Sequence, residues 1–240
     1  MNPRPAPSRP AAALCGALAA ALAAPAAAAE QRYSLTDFDR IQVEGPYQVT
    51  LVTGLPTTAR ATGSTQAIER VTVEVQGRTL RIHPNRSAWG GYPGAPVGLV
   101  RIAAATHDLA SAAVAGSGSL NIDKVRGPRL DLNLVGNGRL SVGRIDADTL
   151  NVAMFGSGEM RLAGKVKQMR ATVQGTGDLK AADLSADDAQ LNAETAGSVA
   201  LAVTRSVHGA SSGAGDVVIG GRPACAIDNK GAGQVRCGVP

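Results

Sequence analysis

The chain has 240 residues, with 24 Lys+Arg against 19 Asp+Glu, three Cys, 29 Gly and only 2% aromatic residues. At 44% hydrophobic and 18% charged it has enough apolar material to fold, which excludes a disordered tail, and its length allows one or two domains. The apolar stock is Ala, Val, Leu and Ile with one Trp and two Phe, which suits thin, regular layers better than a core built around bulky rings.

Residues 1–29 read as a secretory signal peptide. Arg4 and Arg9 supply the positive start, Ala11 to Ala24 an uncharged apolar run, Pro25 a break, and Ala27-Ala28-Ala29 the small-residue cleavage site. The run is too short for a membrane span, which needs about 20 apolar residues. Leu14 precedes Cys15, and most of the apolar run follows it; both features argue against lipid attachment. Removing this leader leaves 22 basic against 19 acidic residues. The remaining cations are scattered singly, without the basic stripe and interleaved aromatics of a nucleic-acid binder. No second apolar run reaches span length. The expected location is the periplasm, the outer-membrane surface or the medium.

Residues 30–110 read as an irregular β cap. Phe38, Ile41 and Val43 alternate, as do Val49 and Leu51. Val71, Val73 and Val75 lead through Gln76-Gly77 into Leu80 and Ile82, a hairpin signal. Val97, Leu99 and Ile102 form a further strand. Between these strands, residues 84–96 are rich in Gly and Pro and form a loop. Trp89 and Tyr92 on that loop are candidate ligand contacts, with packing onto the cap as the alternative.

From about residue 111 to the C-terminus a Gly-x-Gly unit recurs, with its second glycine at 118, 138, 158, 177, 197, 215 and 233. The unit at 195–197 is degenerate, Thr195-Ala196-Gly197. Alternating apolar positions follow each unit (Leu120 and Ile122, Leu140 and Val142, Met160 and Leu162), and a second alternating run precedes the next one (Leu130, Leu132 and Leu134). Period 2 means strands with one buried face. Two short strands per repeat, in register from repeat to repeat, predict an all-β parallel solenoid of about seven coils of 18–20 residues. An antiparallel meander is the competing fold, but its turns would come more often and with less register.

Chemistry-bearing motifs are few. Gly209-Ala210-Ser211-Ser212-Gly213 matches a nucleophile elbow, but a strand pattern follows it where a helix is required. His83, His107 and His208 are far apart and recur in no pattern, so neither a metal nor another cofactor is expected. Glu159 and Asp178 both follow a second glycine and would stack one coil apart. They are candidate ligand-binding residues, as an acid/base pair or a weak Ca²⁺ site, with solvated turn carboxylates as the alternative. Cys225 and Cys237 fall in inward columns and are a disulfide candidate, with two buried thiols as the alternative.

The hairpin Val71–Ile82, the stretch Val100–Ile102 running through Leu109 into Val114-Ala115-Gly116-Ser117-Gly118-Ser119-Leu120, and the repeated Gly-Ser-Gly units together resemble the autotransporter adhesin head GIN domain family. The resemblance covers residues 38–237. It implies a bacterial β-helical domain of the cell envelope or the medium, adhesin-like, with no catalytic residues carried over. This chain departs from the family's name in having no room for a translocating outer-membrane barrel. The expected function is non-enzymatic binding of a glycan or of an envelope or host surface protein, with self-association favoured by flat faces. The alternatives are a polysaccharide-acting enzyme on the same scaffold and a purely structural envelope protein.

Overall fold

A computed structural model describes residues 29–85 and 98–239. The predicted leader, except Ala29, and the loop holding Trp89 and Tyr92 lie outside the described residues.

Seventeen strands and one short helix are present among the described residues. The first half contains β1 (Ala29–Tyr33), β2 (Arg40–Glu44), β3 (Gln48–Thr53), β4 (Thr58–Gly63), α1 (Thr65–Glu69), β5 (Val71–Gln76), β6 (Thr79–Pro84) and β7 (Arg101–Thr106). The repeat region contains β8 (Ser111–Gly116), β9 (Ser119–Ile122), β10 (Val125–Gly136), β11 (Arg139–Gly156), β12 (Glu159–Gly175), β13 (Asp178–Thr195), β14 (Val199–Ser212), β15 (Val217–Gly221), β16 (Ala224–Asn229) and β17 (Val235–Val239).

The repeat region is a parallel β-solenoid. Leu120, Leu140, Met160, Leu179, Val199, Val217 and Val235 are consecutive partners across the stack. All but Val235, on the terminal coil, are buried. Like sits on like because no coil can bury its own apolar face; stacking supplies the cover and pairs the backbone above and below. Each coil has three faces. In β11 they are 139–142, 145–148 and 150–156, and their inward residues Leu140, Val142, Ile145, Ala147, Leu150, Val152 and Met154 are all buried. The seven glycine corners therefore bound about six turns.

The two glycines of a corner have different jobs. Gly156 has φ of 118°, a conformation that L side chains rarely adopt. Gly158 permits close approach: a β-carbon there would lie 2.5 Å from the carbonyl oxygen of Gly138 one coil below. The degenerate corner replaces the first glycine with Thr195, which is buried and has no positive φ. Its hydroxyl donates to the Gly175 carbonyl at 3.1 Å and accepts from the Gly197 amide at 2.9 Å, so side-chain hydrogen bonds stabilise this turn.

The predicted cap does two things. Part of it extends the solenoid: β2 and β3 stack parallel on β8 and β9, and β6 and β7 stack parallel on the other side of β2 and β3. Ile102 and Val49 thereby continue the Leu120 column. The corner here is Gly45-Pro46-Tyr47. It keeps the positive-φ glycine, with φ of 105°, but lacks the second one, so the repeat is invisible in the sequence. The rest closes the end. β4 runs antiparallel to β7, β1 antiparallel to β4, and β5 antiparallel to β6 through the expected turn at Gly77. The helix α1 begins at Ser64, whose hydroxyl accepts the Ala67 amide at 3.2 Å, and tucks Ile68 into the core. Antiparallel strands across the first coil remove the open parallel edge that would otherwise template aggregation.

At the other end β16 and β17 form the last coil. Cys225 pairs with Val207, Cys237 with Ile219, and the two cysteines are joined as a disulfide with Cα atoms 6.6 Å apart.

Candidate functional site

Glu159 and Asp178 are register partners on adjacent coils. The structure brings them together as the spacing predicts, on the face that follows the glycine corner. Glu159 is surrounded by cations. Arg161 contacts it directly, the Lys180 ammonium lies 3.2 Å away and the Arg139 guanidinium 3.7 Å away. The Arg161 hydrogen bond, opposed by partial desolvation and helped by Lys180, holds the Glu159 carboxyl below the usual carboxylate range. Asp178 accepts the backbone amide of Ser198 at 2.9 Å and its hydroxyl at 2.7 Å. Those two bonds also lower its pKa. Both groups are ionised near neutrality. Neither is poised as a general acid, which needs a carboxyl raised toward neutral pH.

The other motifs take structural places. Ser211 is buried inside β14, in register with Ala193 and followed by strand β15, not by a helix. Among the described residues no three His, Cys, Asp or Glu gather in a metal-holding group. No described helix is long and apolar enough to cross a membrane.

A surface the sequence motifs do not mark lies on the third face. Its outward columns run Asp131, Asn151, Arg170, Gln190, His208; then Asn133, Ala153, Thr172, Asn192, Ala210; then Val135, Phe155, Gln174, Glu194. Val135 and Phe155 are register partners and are 45% and 37% exposed, unusual for large apolar side chains in this molecule. Asn151 donates to Asp131 at 2.6 Å. Among the described residues, no side-chain hydrogen bond is made by Asn133, Thr172, Gln174 or Asn192. The signal is present in the sequence as the polar alternates of the second run. Read unit by unit they form amide-rich columns, a pattern hidden when attention stays on the apolar positions.

The family model described as Putative auto-transporter adhesin, head GIN domain, matches residues 37–223. The chain belongs to that family. No curated protein matches the chain in sequence. Among solved structures it is similar to a putative adhesin from Bacteroides fragilis, at 18% identity and a TM-score of 0.77, covering 88% of this chain and 97% of that one. It is also similar to a putative lipid binding protein from Parabacteroides distasonis (22% identity, TM-score 0.67, 88% and 96% covered) and to a putative adhesin from Parabacteroides merdae (16% identity, TM-score 0.64, 88% and 95% covered). At these identities the likeness is one of fold.

Proposed function

We propose that this protein is a non-enzymatic, exported binding module that holds a glycan along the third face of its solenoid. The observation that supports this most is the exposed Val135–Phe155 pair set on a face whose amides and hydroxyls, at Asn133, Thr172, Gln174 and Asn192, make no side-chain hydrogen bond among the described residues. A sugar ring has an apolar C–H face and a hydroxyl edge. The first matches an exposed ring, and the second matches Asn and Gln side chains, which donate and accept together. Repetition at the spacing of neighbouring strands, about 4.8 Å, lets a chain of residues make many weak contacts whose sum is firm. The family's adhesin description agrees with such a role, and so does the leader read at residues 1–29.

The enzyme alternative would place its acid/base pair at Glu159 and Asp178. Their lowered pKa values and engaged lone pairs fit structural carboxylates better. Enclosing a lipid's acyl chains inside the rod would need an apolar channel. Here the axis is filled from Leu120 to Ile219 by stacked, buried side chains.

A glycan array probed with the full chain tests the reading. Binding to neutral or amidated glycans that weakens on Phe155→Ala supports it. Depolymerisation of a polysaccharide that disappears in Glu159→Gln would replace it with the enzyme reading, and an array without signal would replace it with the structural one.

A further inference from the structure

A second site lies away from that face, at the corner where the first coils break off. Chain geometry creates it. Face two begins at Val125, and residues 125–129 pair only with β11, because the preceding strands skip this face: β3 continues to β4 in the cap, and β7 crosses directly to β8 on the third face. The missing strand leaves a cleft of about 390 Å³, within the usual size of small-ligand sites. His107, Lys124, Arg126 and Arg144 line it, together with Asp108 and Asp146.

The charges do not cancel. Asp146 is occupied by Arg126, at 3.2 Å. Among the described residues Lys124 and Arg144 have no ion-pair partner. The backbone at Lys124 and His107 is fixed by hydrogen bonds. The buried Thr53 donates its amide to Asp123 at 3.0 Å and its hydroxyl to the Lys124 carbonyl at 2.7 Å. The Gly54 amide donates to the His107 carbonyl at 2.9 Å. Three cations against two carboxylates leave the cleft one net positive charge, and two cations without an ion-pair partner lining one concave wall can share the oxygens of an anion.

We propose that this cleft binds a phosphate ester whose attached group is about the size of a monosaccharide. Lys124 and Arg144 take the phosphate oxygens, and Asp108 and His107 offer hydrogen-bond partners for hydroxyls. A soluble sugar phosphate and a lipid headgroup share this chemistry. The proposal is independent of the third-face reading: a protein blind to glycans on the array can still bind here.

The test titrates the full chain with glucose 6-phosphate, inorganic phosphate and glucose by calorimetry. Vesicles of phosphatidylcholine, with and without phosphatidate, are tested by co-sedimentation. Saturable, salt-sensitive binding of glucose 6-phosphate but not of glucose is expected. Lys124→Gln and Arg144→Gln should each weaken it about tenfold, the usual loss for a charge-assisted hydrogen bond. Arg161→Gln, on the first face, should leave it intact. Binding of phosphatidate vesicles without glucose 6-phosphate binding, still lost in the two variants, supports the site and assigns it to a headgroup. Absence of binding to every phosphate, or equal binding by a folded Lys124→Gln/Arg144→Gln double variant, overturns the proposal.

Discussion

Gly158 lies directly against Gly138 of the preceding coil, so close that a β-carbon at Gly158 would meet the Gly138 carbonyl oxygen at 2.5 Å and Leu134 Cδ2 at 2.9 Å. The carbonyl is backbone, held by its own ladder, so it has little room to give. Gly158→Ala should therefore push two coils apart and cost about 2 kcal/mol, the usual penalty for overpacking. Ser157→Ala, one residue away and exposed, should stay within about 0.5 kcal/mol of the parent. Urea unfolding of the two variants measures the contrast. Equal midpoints would mean that the corner glycines serve conformation alone and not coil-to-coil contact.

The sequence makes the solenoid legible because its two strongest constraints, inward apolar alternation and the glycine corner, are both residue-specific. It makes the cap coils illegible for the complementary reason. At Gly45-Pro46-Tyr47 a tyrosine stands where the repeat has its second glycine, and the strands β6 and β7 that complete the outer coil are separated by the long segment between Pro84 and Arg101. Pairing between segments distant in sequence leaves no periodic trace. The same contrast holds for the sites. Glu159 and Asp178 were readable as neighbours from repeat arithmetic, yet the cations that occupy Glu159 come from three consecutive coils of that face, β11, β12 and β13. Lys124 and Arg144 carry no motif; only the missing strand beside Val125 gives them a cleft.

The carboxylates on the first face should make stability depend on pH in one direction. Glu159 is lowered chiefly by Arg161, and Asp178 by the Ser198 amide and hydroxyl. A carboxyl whose pKa is lower in the folded than in the unfolded chain adds stability above its unfolded pKa, near 4 for such groups. That contribution is lost as pH falls through the folded value. The Glu159→Gln/Asp178→Asn double variant should melt below the parent at pH 7, with the gap closing as the pH falls below the unfolded value and through the lower folded ones. Because the cationic partners are half-exposed, the gap should be small and should narrow further in salt. Melting curves across the acid range check this, and a gap that widens toward low pH would contradict the assigned direction.

The Cys225–Cys237 bridge joins the two strands of the last coil, β16 and β17, which have strand partners on one side only. Reduction should therefore loosen that coil while the stack beneath it stays closed. Hydrogen exchange should quicken across residues 224–239 after reduction, and protection across β11 and β12 should stay unchanged. Alkylation without reductant should leave both cysteines unlabelled. Labelling at either residue, or a loss of protection that spreads evenly through the rod, would show that the bridge does not act as a local clamp.

Phe155 offers the cleanest separation of binding from folding. The ring sits outside the core, on a column whose neighbours Val135 and Gln174 also face solvent, so its removal leaves no cavity. Phe155→Ala should change the melting temperature by less than a core truncation such as Leu140→Ala, which should cost about 2–5 kcal/mol. Its effect should fall on ligand affinity, with a loss of about 1–3 kcal/mol if the ring carries a stacked sugar as it would carry a stacked base. Asn133→Ala, one coil from the ring on the adjacent column, and Asn192→Ala, two coils away on the other side, should each weaken binding by less, about 1 kcal/mol, since each removes one neutral hydrogen-bonding group. Titration of whichever glycan the array identifies, with the three variants side by side, resolves the ranking. Affinity that falls equally for Phe155→Ala and for Arg161→Gln on the first face would place the contact surface elsewhere on the rod.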